Sequence, residues 1–140
     1  DFDRLTVVTN GIRTAFWLSQ LKNVNVSIAC GEVKNFGNSV LGSRTLDWIR
    51  TMSFDYALVS TSGVSAGGWF TDANADQCEI KKYLLKNAGK TVVLADSSKF
   101  YKTCLYKTFP CDAPDYVVTD QLPDGDFAEK LTHCELIVAD

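Results

Sequence analysis

Short apolar segments that end abruptly in polar residues constrain the fold of this chain more than any other feature. The clearest is residues 91–95 (TVVLA), which run directly into Asp96, two serines and Lys99. A short continuous apolar run is typical of a strand buried on both faces, as in a parallel sheet. Open α/β sheets bind ligands at the carboxyl ends of such strands, and hydroxyls, backbone N–H groups and a lysine there suit a small phosphorylated ligand. The alternative is that Asp96 caps a turn and Lys99 is a solvated surface charge.

The same pattern recurs along the chain and alternates with helical spacing. Apolar runs predict strands at residues 5–9, 24–29, 56–60, 91–95, 116–119 and 135–139. Apolar periodicity predicts helices at 12–21 and 39–52, and a third that begins after Asp72 or Asn74 as its cap. The remaining expectations are loops at 35–38 and 61–68, a short edge strand within 101–114, and a short helix opened by a capping box of Asp126 and Glu129. Together they predict one α/β domain over residues 1–140, with a mostly parallel sheet and helices on both faces.

Composition excludes several classes of protein. At 46% hydrophobic and 22% charged residues, the 140-residue chain is typical of a single globular domain. A net charge of −3 and a pI near 5.1 argue against this segment itself gripping nucleic acid. No apolar run approaches the roughly 18 residues of a membrane span, and no signal-peptide pattern opens the chain, so we expect no membrane partner.

The cysteines predict neither disulfides nor zinc. Their number, five, is odd, their spacing is irregular, and no CxxC pair occurs. Free thiols in a reducing cytoplasm are expected. The only histidine, His133, stands beside Cys134, and adjacent side chains point in different directions, so a catalytic Cys–His pair is not expected.

Polar residues should gather where the parallel strands end, since their carboxyl ends share one edge of the sheet. The groups expected there are Thr9-Asn10, Cys30-Gly31, Thr61-Ser62-Gly63, Asp96-Ser97-Ser98-Lys99 and Thr119-Asp120. Lys99 and the hydroxyls can anchor a phosphate, while Asp96 and Asn10 can hold sugar hydroxyls. The set lacks the dense Cys, His or carboxylate cluster of a metal site, and we expect no metal or cofactor. Each group taken alone is equally explained by turn chemistry.

Two charged residues at the start of the third helix allow two interpretations. Glu79 and Lys81 can face the same edge of the sheet as the strand-end groups. Alternatively, they form the solvated face of the helix together with Lys82 and Lys86.

Six motifs in a fixed order carry a resemblance that covers essentially the whole chain. They are residues 5–10 (LTVVTN), 39–42 (SVLG), 55–59 (DYALV) followed by Gly63 and Gly68, 79–82 (EIKK), 95–100 (ADSSKF) and 115–120 (DYVVTD). In this order and spacing, the chain resembles the effector-binding domain of DeoR-type bacterial repressors of sugar operons. It departs from the family pattern at Gly11 (usually Ser), Cys30 (usually Gly) and Ser65 (often Asp).

The resemblance implies a fold shared with ribose-5-phosphate isomerase and CoA transferases, used to sense a phosphorylated sugar. It also implies a homo-oligomer that binds operator DNA through an N-terminal helix-turn-helix. That module, and the strand and helix that normally open the sensor domain, are not found in residues 1–140, so we expect an N-terminally incomplete domain. The expected ligand-binding residues are Thr9, Asn10, Cys30, Gly31, Ser62, Gly63, Glu79, Lys81, Asp96, Ser98 and Lys99.

Two other functions are alternatives to sensing. A sugar-phosphate isomerase on the same fold needs a carboxylate base, and such isomerases carry an acidic loop after the third strand. This chain has residues 61–65 (TSGVS) there and no carboxylate before Asp72, which leaves Glu79 as a possible base. A phosphoryl-accepting signalling domain needs an acidic pair after the first strand, where Thr9 and Asn10 stand. A sensor without enzymatic activity is therefore the leading hypothesis.

Overall fold

The structure is a computed structural model that describes residues 4–34 and 38–139. The chain divides into two compact units, Asp1–Met52 and Ser53–Asp140. Parallel strand pairs occur in both units, and helices follow them, which confirms the predicted α/β class. That the whole chain forms one domain stays a prediction. Within the described ranges, no helix has the length and apolar character needed to cross a membrane.

The first unit opens with two parallel strands connected through a helix. Its elements are β1 Leu5–Thr9, α1 Ile12–Leu18, β2 Val24–Ile28, β3 Glu32–Val33, β4 Val40–Leu41 and α2 Ser43–Ile49. β1 has the predicted bounds, and it pairs with β2 in register along its whole length. The first helix was predicted to reach residue 21 but ends at residue 18. Ser19 lies at its end, where the Ser19 hydroxyl donates to the carbonyl oxygen of Phe16 (2.7 Å), a local bond that competes with the helical pattern.

The helix predicted over residues 39–52 is wrong at its start. β4 is buried there and pairs antiparallel with β3. Gly42 then redirects the chain with φ of 115°, a conformation that favours glycine, and α2 follows. The apolar residues that matched a helical period are thus divided between a strand and a helix. The loop predicted at 35–38 lies outside the described residues except for Asn38.

The second unit contains a four-stranded parallel sheet and a three-stranded antiparallel sheet. Its elements are β5 Phe54–Ser60, β6 Gly63–Ser65, β7 Trp69–Asp72, α3 Ala75–Asn87, β8 Ala88–Leu94, a 3₁₀ turn at Ser97–Lys99, β9 Tyr106–Pro110, β10 Tyr116–Thr119, a 3₁₀ turn at Ala128–Lys130, and β11 Glu135–Val138. The parallel sheet has the order β11-β10-β8-β5. Every strand of this sheet was predicted, with small differences in bounds.

The antiparallel sheet corrects the prediction of a loop at residues 61–68. β6 lies within that segment and pairs with β7, which in turn pairs with β9. Val64 and Phe70 lie opposite each other in this ladder and are 1% and 0% exposed. Burial of these two side chains therefore favours strand pairing more strongly than the glycine- and serine-rich composition favours a loop. β9 confirms the short edge strand expected within 101–114.

One apolar core joins the two sheets of the second unit to α3. Val93 lies at its centre in the parallel sheet and is 0% exposed, while Phe70 and Phe109 of the antiparallel sheet contact each other with ring centroids 5.3 Å apart. On the other face of β5, Tyr56 and Leu58 are 62% and 65% exposed. Side chains thus alternate between core and surface along the strand, as its two-residue period requires.

The two predicted helix caps have different outcomes. Asn74 caps α3, since its side-chain oxygen accepts a hydrogen bond from the backbone N–H of Gln77 (3.1 Å). The capping box of Asp126 and Glu129 is wrong. A 3₁₀ turn forms there instead, because Phe127 is buried against Phe100 (ring centroids 4.8 Å apart) and Asp126 pairs with Lys130 (2.9 Å).

Asp112 holds residues 132–134, which lead into β11, through hydrogen bonds. Its carboxylate accepts hydrogen bonds from the backbone N–H groups of His133 (2.7 Å) and Cys134 (3.1 Å) and from the Thr132 hydroxyl. The N–H of His133, followed by the Thr132 hydroxyl, lowers the pKa of Asp112 from its ordinary 3.8 to about 2. The ionised carboxylate thus stabilises the folded state.

Replacement of Asp112 by alanine should lower the free energy of unfolding at neutral pH. The folded-state pKa is depressed, so the stabilisation is fully present above about pH 4 and is lost as the pH falls towards 2. The stability difference between the unmodified chain and Asp112→Ala should therefore shrink over that interval, as measured by urea unfolding at several pH values. Asp124→Ala is the control, because the Asp124 side chain accepts no hydrogen bond from the described residues. A difference independent of pH would contradict the assignment.

Candidate functional site

A depression of about 380 Å³ lies at the carboxyl ends of β5, β8 and β10 in the second unit. Its apolar floor includes Leu94, Ala95 and Val118. The polar residues that line it are Ser60, Thr61, Asp96, Lys99, Thr119 and Asp120. The second unit therefore has the concave, mixed polar and apolar surface that small-ligand sites use.

The register of the strands explains why these residues meet. β8 is the central strand, with Leu94 opposite Ser60 of β5 on one side and Val118 of β10 on the other. The chain leaves all three strands in the same direction, and the Ala95 N–H still donates to the Val118 carbonyl oxygen (3.0 Å). The first polar residues after these three strands are thereby placed around one concavity, which is the part of the predicted convergence that falls in the second unit.

Two carboxylates of the depression are held in their ionised form. Asp96 accepts from the backbone N–H of Ser98 (2.9 Å), and a hydrogen bond from the Ser98 side chain is the main cause that lowers the pKa of Asp96. Asp120 accepts from the N–H (2.5 Å) and hydroxyl (3.1 Å) of Ser97, and the backbone bond is the main cause that lowers its pKa. Asp96 thus caps the 3₁₀ turn, as the simpler interpretation predicted, and also lines the depression.

Lys99 supplies the positive charge of the depression. It ends the 3₁₀ turn that Asp96 caps, and its backbone N–H donates to the Asp96 carbonyl oxygen (2.9 Å). The side chain is partly exposed and makes no close ion pair or hydrogen bond with the described residues, while its charge contributes to the lowered pKa of Asp96. Its ammonium group is therefore available to a ligand.

The structure separates Glu79 and Lys81, which the sequence placed together. Glu79 is exposed and pairs with Lys82 (3.3 Å), as expected for a solvated helix face. Lys81 is 9% exposed, and its Nζ lies 2.6 Å from Oδ1 of Asp72. The solvated-face interpretation therefore holds for Glu79 and is wrong for Lys81, whose charge is already paired.

Asp72 is the centre of a buried polar network. It is 1% exposed and accepts hydrogen bonds from Lys81, from the N–H (3.2 Å) and hydroxyl (3.1 Å) of Ser62, and from the Thr108 hydroxyl (2.7 Å). Because the Thr108 hydrogen points at the carboxylate, the thiol of Cys78, 3.3 Å from Thr108 Oγ1, must be the donor in that contact. Asp72 was predicted as a possible cap of α3 and was absent from the expected ligand-binding residues.

Ser62 and Gly63 lie beside the depression but are not among the residues that line it. The hydroxyl of Ser62 is directed at Asp72. Gly63 is packed so closely that a Cβ atom there would lie 2.5 Å from the carbonyl oxygen of Lys102. Conversely, Asp120 lines the depression although it was absent from the expected ligand-binding set. Its position directly after a predicted strand, like that of Asp96, is the signal that could have included it.

Of the five remaining predicted residues, Ser98 donates its N–H to Asp96 and does not line the depression. The other four lie in the first unit, where three of them make hydrogen bonds. Thr9 Oγ1 accepts from the N–H of Gly11 (3.1 Å), and the Asn10 amide donates to the Val40 carbonyl oxygen (3.3 Å). The exposed Cys30 contacts the carbonyl oxygen of Arg44 (Sγ to O 3.6 Å), and Gly31 adopts φ of 146°. Their participation in ligand binding stays a prediction.

Cysteine and metal chemistry find little support in the described part of the chain. All five cysteines are free thiols. Burial raises the pKa of Cys111 and of Cys134 to about 12, which keeps both thiols protonated at neutral pH. Over residues 4–34 and 38–139, no group of three His, Cys, Asp or Glu side chains could hold a metal ion.

A polar depression at the strand ends of a parallel sheet is the place where open α/β domains bind small ligands. The family model of the DeoR C terminal sensor domain matches residues 1–121, and the chain belongs to this family. The match confirms the resemblance found in the sequence motifs and the fold class that it implied. The chain is accordingly a sensor domain of the kind found in DeoR-family transcriptional repressors.

The chain is similar to several curated transcriptional regulators. It is 24% identical over 123 residues to the glycerol-3-phosphate regulon repressor of Haemophilus influenzae, covering 88% of this chain and 48% of the relative. It is 28% identical over 137 residues to the HTH-type transcriptional repressor GlcR of Bacillus subtilis (96% and 53%) and 28% identical over 125 residues to IolR of the same organism (89% and 50%). The chain thus spans about half the length of the curated relatives it matches.

Replacement of Lys81 by methionine should lower the free energy of unfolding by about 3–5 kcal/mol, the usual cost of removing one partner from a buried ion pair. The matched control is Lys82→Met, which removes an exposed pair and should cost less than about 1 kcal/mol. The double variant Asp72→Asn with Lys81→Met should be more stable than Lys81→Met alone, because no unpaired charge stays buried. Urea unfolding measures all three, and equal effects of Lys81→Met and Lys82→Met would contradict the network.

Proposed function

We propose that the chain senses a small phosphorylated sugar or polyol that binds in the strand-end depression. The observation that carries this proposal is the ammonium group of Lys99, which lines the depression together with the carboxylates of Asp96 and Asp120. A phosphate group would bind Lys99 through charge-assisted hydrogen bonds, assisted by nearby hydroxyls. The curated relatives named as glycerol-3-phosphate regulon repressors support a phosphorylated polyol as the class of effector.

The carboxylates of Asp96 and Asp120 can bind the hydroxyl groups of such a ligand. Each ionised carboxylate can accept about four hydrogen bonds, so Asp96 and Asp120 keep acceptor capacity after their contacts with Ser98 and Ser97. Hydroxyl groups of a sugar or polyol are the natural donors. With two negative charges and one positive charge around the depression, a dianion without hydroxyls would be poorly matched. A ligand that joins a phosphate to several hydroxyls fits both parts.

For the whole protein we propose a regulator in which effector binding to this domain modulates operator DNA binding by a separate helix-turn-helix. Two observations support separate effector-binding and DNA-binding parts. The relatives are named HTH-type regulators, and this chain covers about half of their length. The acidic balance of the chain, −3, also favours DNA contacts outside these residues. Assembly as a homo-oligomer in the cytoplasm is part of the same proposal.

Replacement of Lys99 by alanine should weaken the binding of sn-glycerol 3-phosphate by about 1.5–3 kcal/mol, the range of a hydrogen bond to a charged group. Isothermal titration calorimetry measures this, with glycerol as the uncharged companion ligand. Lys102→Ala is the matched control, since Lys102 is an exposed lysine three positions away that does not line the depression. Unchanged affinity of Lys99→Ala, or equal loss in both variants, would refute the assignment of Lys99.

A further inference from the structure

The buried network around Asp72 joins three elements at the wall of the depression. Its carboxylate takes one donor from α3 (Lys81 Nζ, 2.6 Å), one from β9 (Thr108 Oγ1, 2.7 Å) and two from Ser62, in the segment after β5. Ser62 directly follows Thr61, which lines the depression. The network therefore ends one residue from the ligand-facing surface.

The segment after β5 is also tied to the turn that carries Lys99. The Thr61 hydroxyl lies 3.0 Å from the Gly63 carbonyl oxygen and 3.1 Å from that of Thr71, so the segment is held against β7. Directly beyond Gly63, Val64 forms a parallel bridge with Phe100, the residue that follows Lys99. A displacement at Ser62 would consequently reach both the Thr61 wall and the backbone next to Lys99.

A buried ion pair is a costly way to obtain stability alone. Desolvation of the two charges offsets much of their attraction, and well-packed apolar side chains of similar volume often stabilise a fold as well or better. The charged pair adds direction, because a carboxylate fixed by Lys81 can hold the N–H and the hydroxyl of Ser62 in one place. In the described residues, no buried side-chain polar atom of this network lacks a partner.

We infer that Asp72, fixed by Lys81, is a positioning residue for the effector site. It acts through Ser62, whose two hydrogen bonds to the carboxylate set the wall formed by Ser60 and Thr61. This inference rests on the proposed function, since it concerns affinity for the phosphorylated effector. Lys81 and Ser62, which were predicted from the sequence to contact the ligand, would then support the site from behind its surface.

The test compares two hydroxyl deletions on the same carboxylate. Ser62→Ala removes the donor on the ligand side, and Thr108→Val removes the donor on the far side, in β9. Ser62→Ala should weaken the binding of sn-glycerol 3-phosphate to the chain about threefold to tenfold, the effect of one hydrogen bond. Thr108→Val should change the affinity less than about twofold while lowering the urea midpoint at least as much. Ser62→Thr keeps the hydroxyl and should restore the affinity.

The outcomes separate this inference from the proposed function. If the unmodified chain binds no sn-glycerol 3-phosphate or inorganic phosphate, the proposed function fails and the inference fails with it. If binding depends on Lys99 but Ser62→Ala retains full affinity, or Thr108→Val loses as much, only the positioning role of Asp72 is overturned. If Ser62→Ala does not fold, as judged by circular dichroism, the double variant Asp72→Asn with Lys81→Met replaces it. Full affinity of that variant overturns the inference equally.

Discussion

The parallel pairing of β8 with both of its neighbours is the constraint on which the second unit depends. Val93, in the middle of β8, is 0% exposed, and it pairs with Val59 on one side and Val117 on the other. Because the three strands run the same way, the residues that follow them emerge at one edge. Asp96 and Asp120 meet there although 24 positions separate them in sequence. The apolar core therefore places the polar site, and Ala95 belongs to both.

Two lysines near this edge differ in role because the fold buries one of them and leaves the other partly exposed. Lys81 is buried against Asp72, whose carboxylate also accepts hydrogen bonds from the hydroxyls of Ser62 and Thr108. Its charge is compensated inside the protein and cannot serve a ligand without breaking that pair. Lys99 is partly exposed at the end of a 3₁₀ turn and has no such partner among the described residues. An anionic ligand at the depression would find its counter-charge on Lys99.

Local sequence patterns predicted those elements whose structure is decided locally. The strand at residues 116–119 has the predicted bounds, and Asn74 was one of two caps proposed for α3. The hairpin of β6 and β7 was missed, because it depends on the burial of Val64 and Phe70 across a ladder while its composition is that of a loop. The burial of Lys81 was missed for a similar reason, since its partner comes from β7 and is supplied only by the tertiary fold. Tertiary contacts of this kind leave no periodic pattern in the sequence from which they could be predicted.

The state of the carboxylates favours binding over proton transfer at this site. A sugar-phosphate isomerase needs a carboxylate base whose pKa is close enough to neutrality to accept a proton in the transition state. Hydrogen bonds from Ser98 and Ser97 lower the pKa of Asp96 and of Asp120, which makes both weak bases at neutral pH. Asp72 is enclosed with Lys81 and faces away from solvent. The carboxylates at the strand ends are thus suited to accept hydrogen bonds from ligand hydroxyls and poorly suited to abstract a proton from carbon.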